Sequence, residues 1–192
     1  MGGLGKGSDM EINAWVGNLG KYNEGELCGE WVTFPIGDDE WEEVLKRIHI
    51  GEQVDTNDAR YGIYDEIFFA DYDSELPLFE MFGEYPTRAR LNELAEAVCD
   101  IDDEDVFLAI LGNEGSPKYF DDALETYNSG SWRLYPNCDD MSDVAWQIAH
   151  EDECFINSAD FMQRNFNFKH YGEELDSLGT FIPCGNGYLE IW

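Results

Sequence analysis

Cations are scarce in this chain. Lysine and arginine together number 11 among 192 residues, against 42 aspartates and glutamates, for a net charge of -31. So few bases exclude a surface that grips nucleic-acid phosphates, and the acids repel both nucleic acid and an anionic membrane. Histidine is nearly as rare. His49, His150 and His170 are the full set, and none falls in an H-x-x-x-H or H-E-x-x-H arrangement. Cys28, Cys99, Cys138, Cys154 and Cys184 are odd in number and form no C-x-x-C pair. That usage argues against a zinc site or a disulfide framework and for reduced thiols in a cytoplasm. No serine lies in G-x-S-x-G, and no cysteine has an evident histidine partner. A calcium loop counted from Asp100 fails, with Asp105 where glycine is required and Leu111 where glutamate is required. No apolar run approaches the ~18 residues of a membrane helix, and no apolar signal segment follows the N-terminus. The expectation is a cytoplasmic protein with no membrane or nucleic-acid partner, no metal, no cofactor and no catalytic constellation.

What the chain does have is acid and aromatic carbon. Apolar residues make up 43% and aromatics 15%, with 6 Trp, 10 Tyr and 12 Phe, enough to build cores rather than leave a disordered polyanion. The charge is not confined to a tail: residues 1–75 carry a net -13, residues 76–130 a net -10 and residues 131–192 a net -8. Every part of the fold therefore presents a negative surface, and self-repulsion opposes its compact state. Halophilic adaptation would explain few lysines, but does not call for so many large aromatics. Duplex DNA is another polyanion of this kind. At one charge per ~1.7 Å of axis, 31 charges correspond to roughly 50 Å of duplex, about 15 base pairs.

Local patterning predicts an α+β chain of three small modules behind a flexible Gly-rich leader, residues 1–9. The first module, 10–75, pairs a strand over Glu11 to Asn18 with one over Gly29 to Phe34. Tyr22 to Gly25 forms the turn between them. Gly37-Asp38-Asp39 then opens a helix to Ile48 with Trp41, Val44, Leu45 and Ile48 as its stripe, and Tyr61 to Phe69 supplies a third strand. The middle module, 76–130, is helical. After a linker or short helix at Pro77 to Pro86, helices run over Thr87 to Cys99 and Asp102 to Leu111, and a third opens at Ser116-Pro117. The last module, 131–192, begins with a strand at Trp132 to Tyr135. A helix capped by Asp139 or Asp140 follows, then helices from Ser158 and from Phe168 to Leu178. A hairpin around Gly185-Asn186-Gly187 closes it.

With 42 carboxylates, close acidic pairs arise by chance, and each is first of all a solvated face or a helix N-terminus. The phosphate-loop look of Gly5-Lys6-Gly7-Ser8 fails for want of a preceding strand and of the right glycine order. A hydrolase using paired carboxylates finds no further support in the sequence.

Several strings, however, point one way. Asn18-Leu19-Gly20-Lys21-Tyr22-Asn23-Glu24-Gly25-Glu26-Leu27, followed by Gly29, Trp31 and Thr33-Phe34-Pro35-Ile36, resembles the opening of the ArdA antirestriction proteins. Tyr61, Ile63 and Asp65-Glu66 resemble that family's next strand, and Cys138 to Ala145 its C-terminal helix. Phe166 to Phe181, with Phe168, Tyr171-Gly172, Glu174-Leu175-Asp176 and Gly179-Thr180-Phe181, is similar to the family's antirestriction motif. Asn167 and Glu173 depart from it, the latter making the segment more negative. The resemblance implies an elongated, curved homodimer that mimics bent B-form DNA. Such a protein occupies the DNA-binding groove of the methyltransferase core of type I restriction–modification enzymes, and mobile elements encode it to survive entry into a restricting host. An acidic regulator of another DNA-binding protein is the alternative.

Groove-lining bases grip phosphates, so spaced carboxylates can take the same contacts. The expected contacts are spread over Asp38, Asp39, Glu42, Glu43, Asp102, Asp103, Asp105, Asp121, Asp122, Glu125, Glu173, Glu174 and Asp176. Two such polyanions repel, so their mutual contact requires an apolar patch of low local charge. The segment Asn165 to Tyr171 has three aromatics, one lysine and no acid, which places the expected dimer interface at Phe166, Phe168 and Tyr171. The competing reading is that these rings fill the module's own core.

Overall fold

A computed structural model describes residues 10–54, 62–115 and 119–192. The Gly-rich leader, Tyr61 at the head of the expected third strand and the Ser116-Pro117 cap lie outside them. The fold is α+β, and the chain divides into two compact units, Met1–Glu104 and Asp105–Trp192.

The first unit is built on a three-stranded antiparallel sheet, β1 (Ile12–Asn18), β2 (Gly29–Phe34) and β3 (Ile67–Asp73), in the order β2-β1-β3. Alternation puts Ile12, Ala14 and Val16 on one face, where all three are fully buried together with Val32 and Phe34 of β2. Helix α2 (Asp38–Arg47) buries Val44 here, and Trp41 brings its ring to 6.3 Å from Phe34. Where Tyr22 to Gly25 reads as a plain turn, a one-turn helix α1 (Leu19–Asn23) forms first, and the turn follows at Glu24 and Gly25, φ 87° at Gly25. Asn18 is the reason. Its buried carboxamide accepts from the Lys21 backbone N–H at 3.0 Å and donates to the Ile48 carbonyl at 2.9 Å. It caps α1 and ties β1 to the end of α2 at once.

The third strand begins at Ile67 rather than at Tyr61, because the chain before it pairs elsewhere. Ile63 bridges Gln53, and Tyr64 exchanges backbone bonds with Gly51 and Glu52 beyond α2. Helices α3 (Leu78–Phe82) and α4 (Arg88–Cys99) follow, the second capped by the Thr87 hydroxyl and burying Leu91, Leu94, Ala95 and Val98. Asn92 of α4 docks onto the sheet's exit. It accepts from the Ile36 N–H at 2.8 Å and donates to the Ile36 carbonyl at 2.9 Å.

The second unit opens with α5 (Glu104–Asn113) and α6 (Phe120–Ser129), whose Phe107 and Phe120 pack edge to face at 5.3 Å. Its sheet, β4 (Trp132–Pro136), β5 (Thr180–Cys184) and β6 (Gly187–Ile191), is antiparallel in the order β4-β6-β5. Helix α7 (Met141–Glu151) is capped by Asp140, whose carboxylate accepts from the N–H groups of Ser142 at 2.7 Å and Asp143 at 3.3 Å. Two short helices absent from the sequence reading in this form follow, α8 (Glu153–Ile156) and α9 (Asp160–Arg164), before α10 (Phe168–Leu178).

Helices α7 and α10 approach so closely at Gly172 that a Cβ there would overlap the Met141 carbonyl. Alanine would gain about 1 kcal/mol of helix propensity over glycine, but backbone cannot yield as a side chain does, and overpacking costs about 1–3 kcal/mol. Gly172→Ala is therefore expected to lower the stability of this unit by up to about 2 kcal/mol, read as a lower urea midpoint. A midpoint that rises would show that the two helices part freely.

Candidate target-binding surface

The expected acidic contacts are distributed over four helices and one loop. Asp38 and Asp39 form the first turn of α2, where the exposed N–H groups of the helix favour negative charge. Gly37 supplies no side-chain cap. Glu42 and Glu43 follow on the exposed side of α2. Asp102 is exposed, Asp103 is half-buried, and Asp105 lies in the first turn of α5 with its carboxylate against Gly185 of the β5–β6 turn. Asp121, Asp122 and Glu125 are exposed on α6, and Glu173, Glu174 and Asp176 on α10.

Six of the eight described lysines and arginines are turned onto the chain's own acids, while Arg164 and Lys169 are exposed. Lys21 pairs with Glu26 at 3.0 Å, Lys46 with Glu43 at 2.6 Å, Arg47 with Glu30 at 2.6 Å and Arg90 with Glu93 at 2.8 Å. Arg88 pairs with Asp38 and Arg133 with Glu151. Among the expected contacts, Asp38 and Glu43 thus already hold a cation. The bond from the Lys46 ammonium holds the Glu43 carboxyl below its ordinary pKa. Asp140 is held low too, but by the backbone N–H of Ser142, which marks it as a structural cap. His170 lies 3.7 Å from Glu173 and 3.6 Å from Glu174, so in its charged form it offsets part of that acidic turn.

A cleft of about 410 Å³ lies where Asn137, Cys138 and Asp139 meet the β5–β6 turn. Burial pushes the Cys138 thiol up, away from the thiolate that nucleophilic chemistry requires. Among the described residues no group of three or more His, Cys, Asp or Glu side chains is arranged to hold a metal ion. No described helix is long and apolar enough to cross a membrane.

The three aromatics expected at the dimer contact do come together. Phe166 lies 5.0 Å from Phe168 and 5.6 Å from Tyr171. Phe155 joins Phe166 at 5.1 Å and Phe168 at 6.0 Å, and His150 stacks between Phe168 and Trp146. Phe168 and Tyr171 are half-buried and Phe166 is exposed. None of the three belongs to the buried cluster of Tyr135, Cys138 and Val144 that forms a core in this unit. Around them Trp146, Ile156, Phe161 and Met162 are exposed, a set the sequence reading does not pick out. Ile156, Phe161 and Met162 lie on α8 and α9, which are too short to show a 3.6-residue period, so they carry no pattern to betray them.

No curated protein matches the chain. The family model described as "Antirestriction protein (ArdA)" matches residues 14–190, spanning both compact units and the segment from Phe166 to Phe181. Over nearly its whole length, then, the sequence that builds these two acidic α+β units is that of the ArdA antirestriction protein family, to which the chain belongs.

Proposed function

We propose that the protein inhibits type I restriction–modification enzymes by occupying, as a homodimer, the groove in which their methyltransferase core binds DNA. The observation that carries this reading is the fate of the cations. Eleven bases face 42 acids, and Lys21, Lys46, Arg47, Arg88, Arg90 and Arg133 are all committed to intramolecular ion pairs. Apart from the exposed Arg164 and Lys169, the outward charge of the described residues is carboxylate, presented on both units and at helix N-termini that fix its position. A groove lined with lysine and arginine for phosphates takes such a surface as a substitute. Inhibition then needs no bond to be made or broken in the target, only competition with DNA. Membership of an antirestriction family supports the same class of partner. The three modules, 10–75, 76–130 and 131–192, arranged as an elongated mimic in the cytoplasm, belong to this proposal.

Competition through many charge pairs is sensitive to salt. Affinity for a purified type I methyltransferase core is expected to fall by about three orders of magnitude between roughly 50 and 200 mM salt, as for a DNA ligand with six to ten phosphate contacts. Duplex DNA carrying the enzyme's recognition sequence is expected to displace the protein in a pull-down. An isotherm that shifts less than about threefold over that range, or a complex that DNA leaves intact, would overturn the mimicry.

A further inference from the structure

The solvent face of an antiparallel sheet is ordinarily polar. In the first unit three of its positions, Trp15, Trp31 and Phe68, are aromatic, beside Asn13, Thr33, Asp71 and Asp73. With Ile12, Ala14 and Val16 turned inward, the register sets Trp15 of β1 directly between Trp31 of β2 and Asp71 of β3. Trp31 is 52% exposed and Tyr22, on the same unit, 54%. The face is also fixed in place. The Trp15 ring lies over Gly17 and Gly29, where any side chain would overlap it, and packs edge-on to Phe68 at 6.0 Å, which in turn meets Tyr22 at 5.0 Å. Asp71 and Asp73 border the rings, both exposed and neither paired with a cation among the described residues.

The same chain shows what such a combination holds. Lys21 sits 5.3 Å from the Tyr64 ring and pairs with Glu26. Arg88 sits 5.9 Å from the Trp41 ring and pairs with Asp38, and Arg133 sits 4.7 Å from the Tyr135 ring and pairs with Glu151. In each case an aromatic face and a carboxylate share one cation. The Trp31–Trp15–Asp71 row presents those two groups with no cation between them among the described residues.

We infer that this sheet face is a docking site for arginine side chains on the basic surface of a partner protein. Arginine fits better than lysine because its planar, weakly hydrated guanidinium stacks on an indole while its N–H groups reach a carboxylate. Exposed bases of a nucleic acid also stack on aromatic sheets, but their phosphates meet Asp71, Asp73 and a first stretch of net charge -13. A second copy would bring the same acids against themselves. The inference rests on the reading of the chain as a ligand for a basic groove, and it adds stacking contacts to a surface otherwise made of charge.

The test uses the full chain and three probes in calorimetric titrations at low salt: a nonapeptide of arginine, a nonapeptide of lysine, and a single-stranded oligothymidylate. The two peptides carry equal side-chain charge, so net charge alone binds them alike, and the Trp31 variants separate stacking from the bidentate grip of guanidinium on carboxylates. The arginine peptide is expected to bind about fivefold more tightly. Trp31→Ala and Trp31→Leu, the latter keeping the apolar area, are expected to abolish the preference and leave lysine-peptide affinity unchanged, whereas Trp146→Leu in the second unit keeps it. Equal binding of the two peptides, or a preference that survives both Trp31 variants, overturns the inference. So does oligothymidylate binding, or self-association in sedimentation, that Trp31→Leu removes. If the protein leaves type I enzymes uninhibited while the arginine preference tracks Trp31, the proposed function falls and this docking site stands.

Discussion

Replacing Asp39, Glu42, Asp102, Asp121, Asp122, Glu125, Glu173, Glu174 and Asp176 together by their amides is expected to abolish inhibition of a type I restriction enzyme, while each change alone leaves it nearly intact. All of these side chains are exposed. An exposed ion pair contributes about 0–1 kcal/mol, so one lost contact costs less than about fivefold. The full set loses about 4–5 kcal/mol, which is at least a thousandfold in affinity. The sign of the effect on folding separates the two possible causes of failure. Removing like charges from a chain of net charge -31 relieves self-repulsion, so the combined variant is expected to unfold at a higher urea concentration than the parent. A DNA-cleavage assay with purified enzyme and graded inhibitor reads the first effect, and circular dichroism the second. If one substitution alone destroyed inhibition in a folded protein, the surface would be a localised site and not a mimic.

Asp38 and Glu43 are left out of that set for a reason the sequence does not show. Their cations come from Arg88 and Lys46. The second is an i,i+3 pair that helix geometry makes foreseeable, but Arg88 is fifty residues from Asp38. The same distinction runs through the whole fold. Thr87 and Asp140 as caps, the Gly185 to Gly187 hairpin and the inward sets of β1, α4 and α5 are legible because each depends on residues within one turn or one strand. The docking of α4 onto the sheet rests on Asn92 and Ile36, whose mutual bonds leave no trace in local pattern. The late start of β3 is set likewise by Tyr64 pairing with the chain beyond α2. At the candidate surface the acids are visible in the sequence as a total, not as an arrangement. The aromatic sheet face has a signal after all. Trp15 is out of phase with Ile12, Ala14 and Val16, so once those three face the core it must face away from it.

The proposed homodimer yields the other large effect. Two copies extend the polyanion to roughly 105 Å of duplex equivalent, and they repel unless they meet where charge is low. Residues 161–172 hold no acid and three bases or histidine, and the exposed Phe161 (71%), Met162 (60%) and Phe166 (38%) lie within them. Phe155 and His150 support the rings of this segment from beneath. This favours a contact through the α9–α10 region, with Phe166 as its probe. Phe168 is the poorer choice for substitution, since it is half-buried among Phe155, His150 and Phe166 and a charge there strains the unit itself. In a two-fold contact Phe166→Asp enters twice, setting two carboxylates into an apolar patch. The dimer dissociation constant is expected to rise by about two to three orders of magnitude, so that sedimentation at micromolar concentration shows a folded monomer. Each monomer keeps its own carboxylates and loses only its partner's. Its inhibition should weaken by a similar factor and become less steep in salt, because fewer charge pairs form per binding event. A folded Phe166→Asp variant that remains dimeric moves the interface off this face. A monomer that inhibits as well as the parent makes dimerisation dispensable, and with it the second half of the mimic.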